Sequence, residues 1–182
     1  LLESADVLVV GPGLGQSPWS EYLLKAAVAC GKPTVLDADG LNLLAAHKVA
    51  PGPQMIITPH PGEAARLLGM TTAAVQADRF AAARALQQQL GGVAVLKGNG
   101  SLIATEQQLL LCDYGNPGMA SGGMGDVLSG VIGALLAQRL EPATAAALGV
   151  CVHGAAADIA AEDGQLGLVA SDLMPKLREL LG

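Results

Sequence analysis

Short runs of apolar and β-branched residues alternate along the chain with longer segments in which apolar residues recur at helical spacing. The runs predict strands at 7–10, 34–36, 55–58 and 93–96, and the longer segments predict helices at 19–29, 40–47, 62–68 and 78–90. This alternation is typical of a parallel sheet whose strands are joined by helices. The run at 93–96 is wholly apolar, as expected of a strand that is buried on both faces.

The second half of the chain departs from this alternation. Two apolar runs at 102–104 and 109–112 flank a polar turn, which predicts a hairpin that forms an antiparallel edge of the sheet. Three helices are predicted at about 123–138, 142–162 and 172–181. Together these elements predict a single α/β domain over residues 1–182.

Composition narrows the classes of partner. The 182 residues carry a net charge of −6, and aromatic residues make up only 2% of them. Nucleic-acid-binding surfaces concentrate Lys and Arg and often stack bases on aromatic rings, so we expect no nucleic-acid partner. A small phosphorylated ligand is still compatible with this charge, because backbone amides bind phosphate without changing it.

Cysteine usage and hydropathy indicate the compartment. Cys30, Cys112 and Cys151 are far apart and form no C-x-x-C pair, which argues against a disulfide framework or a zinc site. No apolar run reaches the roughly 18 residues of a membrane span. No signal-peptide pattern precedes the first strand. We therefore expect a cytoplasmic protein with no membrane partner.

The most distinctive segment is the glycine-rich loop, residues 116–126 (NPGMASGGMGD), which opens an apolar helix. Glycines at a helix start leave several backbone N–H groups unpaired at the positive end of the helix dipole, and such a start binds anions. The same dipole favours an ionised carboxylate, so Asp126 in the first turn is placed to act as a base beside a bound phosphate. The alternative is a tight turn in which Asp126 only caps the helix.

Four more polar or glycine-rich loops follow predicted strands, and in an open α/β sheet such loops converge where ligands bind. The loop 11–16 is not a dinucleotide-binding G-x-G-x-x-G motif, because Gln16 takes the position of the third glycine. Asp37 and Asp39 follow the second strand and are suited to orient a hydroxyl-rich substrate or to hold hydrated magnesium. Helix capping is the alternative for each of them.

The remaining two loops follow the third and fourth predicted strands. His60 lies between two prolines that restrict its backbone and hold its imidazole at the mouth of the sheet, although a lone histidine is also commonly structural. Residues 97–101 (KGNGS) offer an ammonium, a hydroxyl and flexible backbone amides, which predicts a phosphate or ribose clamp. A glycine turn with a solvated lysine is the alternative here.

Five segments, taken in order, resemble the motifs of the ADP/ATP-dependent NAD(P)H-hydrate dehydratases, a branch of the ribokinase-like superfamily: VVGPGLG, DADGLNLL, ITPHPGEAARLLG, VLKGNGS and NPGMASGGMGDVLSGVIGALL. The resemblance implies a three-layer α/β/α sandwich with a mainly parallel central sheet. It also implies a metabolite-repair reaction that uses ADP or ATP with Mg²⁺. In that reaction the C6 hydroxyl of NADHX or NADPHX is phosphorylated, and phosphate is then eliminated to return NADH or NADPH.

The resemblance also implies roles for individual residues. Asp126 would take the proton from the C6 hydroxyl and would contact the substrate together with Gly13 and His60. The nucleotide and its transferring phosphate would be held by glycine-rich segments: Lys97, Gly98, Asn99, Gly100, Ser101 and Gly125 for the nucleotide, and Gly122, Gly123 and Gly125 as the anion hole. Ser101 replaces the usual threonine but keeps its hydroxyl, whereas Met124 stands where many relatives have threonine. No residue is assigned as a metal ligand.

The resemblance also has implications for the rest of the polypeptide and for the partners of the chain. Family members carry roughly another hundred residues before the first strand, so the chain is expected to lack the first strands of its sheet and to expose an apolar edge by itself. Bacterial members are often fused to an NAD(P)H-hydrate epimerase domain, and a homo-oligomer is also expected. Two rival functions stay open: a ribokinase-type kinase for a vitamin precursor, such as hydroxymethylpyrimidine or pyridoxal, and a nucleotide-binding module without catalysis.

Overall fold

A six-stranded sheet, with its strands in chain order, forms the centre of the computed structural model, which describes residues 2–47, 49 and 52–182. The strands are β1 (Leu8–Val10), β2 (Thr34–Leu36), β3 (Met55–Ile57), β4 (Val93–Leu96), β5 (Ser101–Ala104) and β6 (Leu109–Cys112). Strands β1 to β4 are parallel, whereas β5 and β6 form an antiparallel hairpin at one edge. The predicted parallel sheet with an antiparallel edge is therefore confirmed.

Eight α-helices connect or follow these strands in the described part of the chain. They are α1 (Pro18–Ala29), α2 (Asp39–His47), α3 (Pro61–Leu68), α4 (Thr72–Ala77), α5 (Arg79–Leu90), α6 (Met124–Ala137), α7 (Pro142–Ala160) and α8 (Leu173–Leu181). Seven of them were predicted, with ends that differ by no more than two residues. Helix α4 was not predicted, because its six residues contain one buried side chain, Val75, and so show too little apolar periodicity.

The sheet is buried on both faces because successive side chains of a strand point to opposite sides. On β2, Leu36 packs with α1, α2, α3 and α5, whereas its neighbour Val35 packs with α6 and α7. The same alternation separates Ile57 from Ile56 on β3. Helix α8 packs outside this sandwich, against α7. The expected three-layer α/β/α arrangement is confirmed.

Helix α7 is the one helix in the described ranges that is long and apolar enough, by length and composition, to cross a membrane. In this fold it packs on the second face of the sheet, between α6 and α8. Its buried side includes Ala145, Ala146, Val150 and His153. Its apolar composition is accounted for by this central position, since a helix that is buried on several sides has little polar surface to present.

Candidate active site

The loops that follow β1, β2, β3 and β4 are joined to one another at the carboxyl edge of the sheet. After β1, the amide of Gly15 donates to Asp39 Oδ2 at 2.9 Å. After β4, the amide of Lys97 donates to the carbonyl of Pro59 at 2.9 Å, and Lys97 Nζ donates to Asp37 Oδ1 at 2.7 Å. The predicted convergence of these four loops is confirmed.

The glycine-rich loop runs into the first turn of α6 at this same edge. Gly123 occupies the position before the helix with a left-handed φ of 86°, which glycine adopts readily. Among the residues that the structure describes, no side chain caps this start, so the first N–H groups of α6 are available to an anion. Asp126 is exposed inside that turn, beside a mainly apolar groove between α6 and α8. The alternative, in which Asp126 only caps the helix, is not supported.

Lys97 and Asp37 form a largely buried ion pair beside the start of α6. The side chain of Lys97 is 20% exposed and that of Asp37 only 1%. Ser129 Oγ lies 2.8 Å from Asp37 Oδ2 and 3.0 Å from the carbonyl of Gly125, so its hydrogen is shared between two acceptors. Lys97 is therefore not a solvated lysine. Both oxygens of the Asp37 side chain are engaged within the protein, so this carboxylate neither caps a helix nor presents a free ligand.

A pocket of about 490 Å³ lies between the loop after β4 and the loop that leads to α6. Gly98, Asn99 and Gly100, three of the predicted nucleotide contacts, line one part of it, and residues 114–117 with Met119 and Ala120 line the rest. Its volume is within the range of about 300–1,000 Å³ found for small-molecule pockets. A second pocket, of about 520 Å³, lies at the opposite edge of the sheet, and its lining contains none of the predicted site residues.

Arg79, the first residue of α5, supports one wall of the 490 Å³ pocket, namely the wall formed by the loop after β4. Its guanidinium donates to the carbonyls of Leu96 and Lys97, at 3.4 Å each, and to the carbonyl of Asn99. Burial lowers the pKa of Arg79 from its ordinary value, but a guanidinium stays protonated in proteins. A single cation thus holds three backbone carbonyls at the end of β4 and in the loop that follows it.

The opposite wall of the pocket is fixed to α7. Asp158 accepts hydrogen bonds from the amide of Gly115 and from Asn116 Nδ2, both at 2.9 Å. Gly154 allows the close approach of this wall, since a Cβ at that position would lie 2.9 Å from the carbonyl oxygen of Tyr114. Helix α7 therefore holds this wall of the pocket in place.

His153 on α7 lies close to the start of α6. It is 5% exposed, and its Nε2 has no hydrogen-bond partner among the described residues. Burial lowers the pKa of His153 to about 4; a hydrogen bond to the backbone of Met124 opposes this shift and the nearby Lys97 adds to it. The imidazole is therefore neutral at pH 7.

His60 and Gly13 are less closely connected to this centre. His60 caps α3: its Nδ1 accepts from the amide of Gly62 at 3.0 Å, and its own amide donates to Glu63 Oε2 at 2.8 Å. Its side chain is nevertheless 55% exposed. Gly13 is in the turn after β1 with a φ of +65°. The described contacts include no hydrogen bond or ion pair between Asp126 and either residue, so their shared substrate contact stays a prediction.

The carboxyl-edge loops and the glycine-rich loop carry the five motifs of the resemblance, and a comparison with protein families decides the family. The model of the NAD(P)H-hydrate dehydratase family matches residues 1–179. The chain belongs to this family. The ribokinase-like dehydratase resemblance is thereby confirmed.

Relatives in the NAD(P)H-hydrate dehydratase family include both short and long proteins. The chain is 55% identical to a bifunctional NAD(P)H-hydrate repair enzyme of Coxiella burnetii, with 100% of the chain but 37% of that protein aligned. It is 42% identical to an ADP-dependent (S)-NAD(P)H-hydrate dehydratase of Neisseria meningitidis serogroup B, over 99% of the chain and 67% of that protein. The chain thus spans about a third to two thirds of the length of these relatives.

A solved structure of the same family supports the fold. The ADP/ATP-dependent NAD(P)H-hydrate dehydratase of Bacillus subtilis, co-crystallised with ATP and Mg²⁺, superposes with a TM-score of 0.87 at 32% identity. The match covers 97% of this chain and 64% of that one.

Four residues of the candidate site were missed by sequence reasoning: Arg79, Ser129, His153 and Asp158. Each lies inside a helix that was predicted correctly, at a position where a polar residue gives no local signal of function. A polar side chain within an otherwise apolar stretch, as for Ser129 and His153, was the one available hint, because buried polar groups usually require a partner.

Proposed function

We propose that this protein is an ADP-dependent dehydratase that restores NADH and NADPH from their (6S) hydrates, NADHX and NADPHX. The observation that carries the proposal is the uncapped, glycine-rich start of α6 with Asp126 in its first turn, together with a pocket of about 490 Å³ that is lined in part by the loop leading to α6. Membership of the NAD(P)H-hydrate dehydratase family supports it. The naming of the Neisseria relative as ADP-dependent favours ADP as the nucleotide.

In this proposal the nucleotide occupies the pocket between residues 97–101 and 114–120. Lys97, Gly98, Asn99, Gly100 and Ser101 contact it from one side, and Gly125 contacts it from the start of α6. The terminal phosphate lies on the amides of Gly122, Gly123 and Gly125, where the helix dipole and the N–H groups stabilise the charge of the transferring phosphoryl group.

The substrate then approaches Asp126 from the side of the exposed carboxylate, in contact with Gly13 and His60. Asp126 takes the proton of the C6 hydroxyl while that oxygen attacks the terminal phosphorus of ADP. A new oxygen–phosphorus bond forms, and the bond to the leaving AMP breaks. Next the C6–oxygen bond breaks, phosphate departs and a proton leaves C5, so that the C5–C6 double bond of the reduced nicotinamide is restored.

Magnesium would reach this site with the nucleotide. Across residues 2–47, 49 and 52–182, no three His, Cys, Asp or Glu side chains gather into a metal site, and Asp37 is occupied by Lys97 and Ser129. This donor set fits a hydrated Mg²⁺ held mainly by phosphate oxygens, as is usual for nucleotide-bound magnesium. The ion would neutralise charge on the phosphates during transfer.

The partners follow from the relatives. The Coxiella and other similar proteins are bifunctional repair enzymes, so we propose that this dehydratase region works next to an NAD(P)H-hydrate epimerase domain in one polypeptide. A cytoplasmic location and a homo-oligomer complete the proposal. Sedimentation of the purified full-length protein would test the oligomer, and a monomer at all concentrations would contradict it.

The test of the activity is an assay of the full-length protein with hydrated NADH, ADP and Mg²⁺, in which the absorbance of reduced nicotinamide is followed. We expect that absorbance to return, and we expect Asp126→Asn to slow it by about 10²–10⁴-fold, the usual contribution of a positioned base. ADP affinity should change little in this variant, because Asp126 acts on the hydroxyl rather than on the nucleotide. Glu106→Gln, in the exposed turn between β5 and β6, is the matched control for loss of one carboxylate.

The rival functions give different results in the same assay. Accumulation of a stable phosphorylated alcohol from hydroxymethylpyrimidine or pyridoxal, without return of reduced nicotinamide, would establish the vitamin-precursor kinase. Binding of ADP without any turnover would establish the non-catalytic module. Full activity of Asp126→Asn would refute the role of Asp126 while leaving the dehydratase function standing.

A further inference from the structure

A buried cluster of three side chains connects three separate parts of the active site. Asp37 follows β2, Lys97 follows β4 and Ser129 lies in α6, and the carboxylate of Asp37 is the one group that contacts both of the others. Asp37 is 1% exposed, so its charge is removed from water almost completely. Burial of a carboxylate costs free energy unless strong hydrogen-bond partners compensate for the lost water, and here the partners are an ammonium and a hydroxyl.

The cluster lies directly against the proposed phosphate site. A Cβ built on Gly125 would lie 3.1 Å from Lys97 Nζ and 3.5 Å from Asp37 Oδ2. Ser129 Oγ is also 3.0 Å from the carbonyl of Gly125. The charged pair therefore packs directly against Gly125 in the first turn of α6, where an added side chain would crowd the ammonium of Lys97.

The charges of this cluster depend on each other. Lys97 is the one cation in contact with Asp37 among the described groups. Without Asp37, the ammonium of Lys97 has no counterion to hold it beside Gly125. Without Lys97, the buried carboxylate of Asp37 is left without a counterion close to the N–H groups that would receive a phosphate. Coulomb repulsion at such short range is weakly screened in a site of low dielectric.

We propose that Asp37 is a positioning residue for the nucleotide: it holds the ammonium of Lys97 and the first turn of α6 in the one arrangement that accepts a phosphate. This inference rests on the proposed function, because it takes the ligand of the glycine-rich loop to be the phosphate of ADP. Asp37 itself does not touch the nucleotide. It acts through Lys97 on one side and through Ser129 on the other.

The proposal predicts a specific pattern of ADP dissociation constants. Asp37→Asn keeps the shape and the contact to Ser129 but removes the charge, and we expect ADP to bind about tenfold more weakly, because Lys97 is released. Lys97→Met should weaken ADP binding by more than that, because the carboxylate is left unpaired. The double variant should bind ADP more tightly than Lys97→Met alone, since the repelling charge is then gone.

The experiment uses calorimetric titration of ADP into the full-length protein, with thermal unfolding recorded for every variant and Glu106→Gln as control. The KM for ADP should rise in Asp37→Asn by a larger factor than kcat falls, since proton removal by Asp126 is not affected. A residue that only stabilises the fold would lower the melting temperature and leave the ADP dissociation constant of the folded protein unchanged. Ser129→Ala keeps the ion pair but removes the contact between Asp37 and α6, and it should weaken ADP binding two- to threefold. If Asp37→Asn fails to fold, an unchanged ADP dissociation constant in Ser129→Ala overturns the proposal.

Two results would overturn the proposal. The first is an ADP dissociation constant for Asp37→Asn within twofold of the wild type. The second concerns the double variant: its fold-loss of ADP affinity equals the product of the fold-losses of the two single variants. Such a product is expected when two residues act independently. If the wild-type protein itself does not bind ADP, the proposed function fails rather than this inference alone.

Discussion

The neutral histidine beside Lys97 makes the stability of this protein sensitive to mild acid. His153 has a pKa of about 4 in the folded state, below its ordinary value of 6.5. Between these two values the unfolded chain binds a proton that the folded protein does not, so the free energy of unfolding falls as the pH is lowered. The contribution of neutral His153 is fully present above about pH 6.5 and is lost progressively as the pH falls toward 4.

The size of the effect follows from the displacement of the pKa. Between pH 7 and pH 5 the free energy of unfolding should fall by about 2 kcal/mol through this residue, and by about 3 kcal/mol once both pKa values have been passed. A loss of about 2 kcal/mol corresponds to roughly a 30-fold change in the folding equilibrium. This is a measurable fraction of the stability of an ordinary domain.

The assay is urea unfolding at pH 7 and at pH 5, for the wild type and for His153→Gln, which carries no titrating group. Other residues titrate equally in both proteins, so the difference between their two pH effects isolates His153. We expect the wild type to lose about 2 kcal/mol more than the variant. His47→Gln is the control, since His47 is on the surface near Glu21, and its variant should keep the acid sensitivity. Equal losses in wild type and His153→Gln would refute the reasoning.

Two further predictions concern the wall of the pocket on α7. Gly154→Ala places a Cβ 2.7 Å from the Cβ of Tyr114, so we expect a loss of about 1–3 kcal/mol in urea unfolding and weaker ADP binding by titration. Gly130→Ala is its control, because nothing lies within 4 Å of a Cβ there, and a gain of up to about 1 kcal/mol is expected from helix propensity. Asp158→Asn removes the charged acceptor of the same wall and should cost about 1–3 kcal/mol; unchanged ADP affinity would show that this wall does not shape the nucleotide pocket.

Local pattern alone determined most of the fold. The alternation of apolar runs with helical periodicity placed six strands and seven helices, because strand and helix periods are properties of neighbouring residues. Glycines and polar residues at the ends of the predicted strands then indicated which edge of the sheet carries the candidate active site, since parallel strands bring their carboxyl ends to one side. The short helix α4 was not predicted, because six residues are too few to show the period of apolar positions that marks a helix.

The sequence also indicated the family, because five ordered motifs are read directly from the chain. It singled out the glycine-rich loop and Asp126 as candidate site residues for the same reason. What only the tertiary structure decided is which of these groups meet. Asp37 is 60 residues from Lys97 and 92 from Ser129 along the chain, and Asp158 is 43 residues from Gly115. Such contacts depend on how strands pair and how helices stack on the sheet, which no local pattern records. Two further features were decided by the tertiary structure for the same reason. One is the burial that keeps His153 neutral, and the other is the ion pair of Lys97 with Asp37, which rules out a solvated lysine.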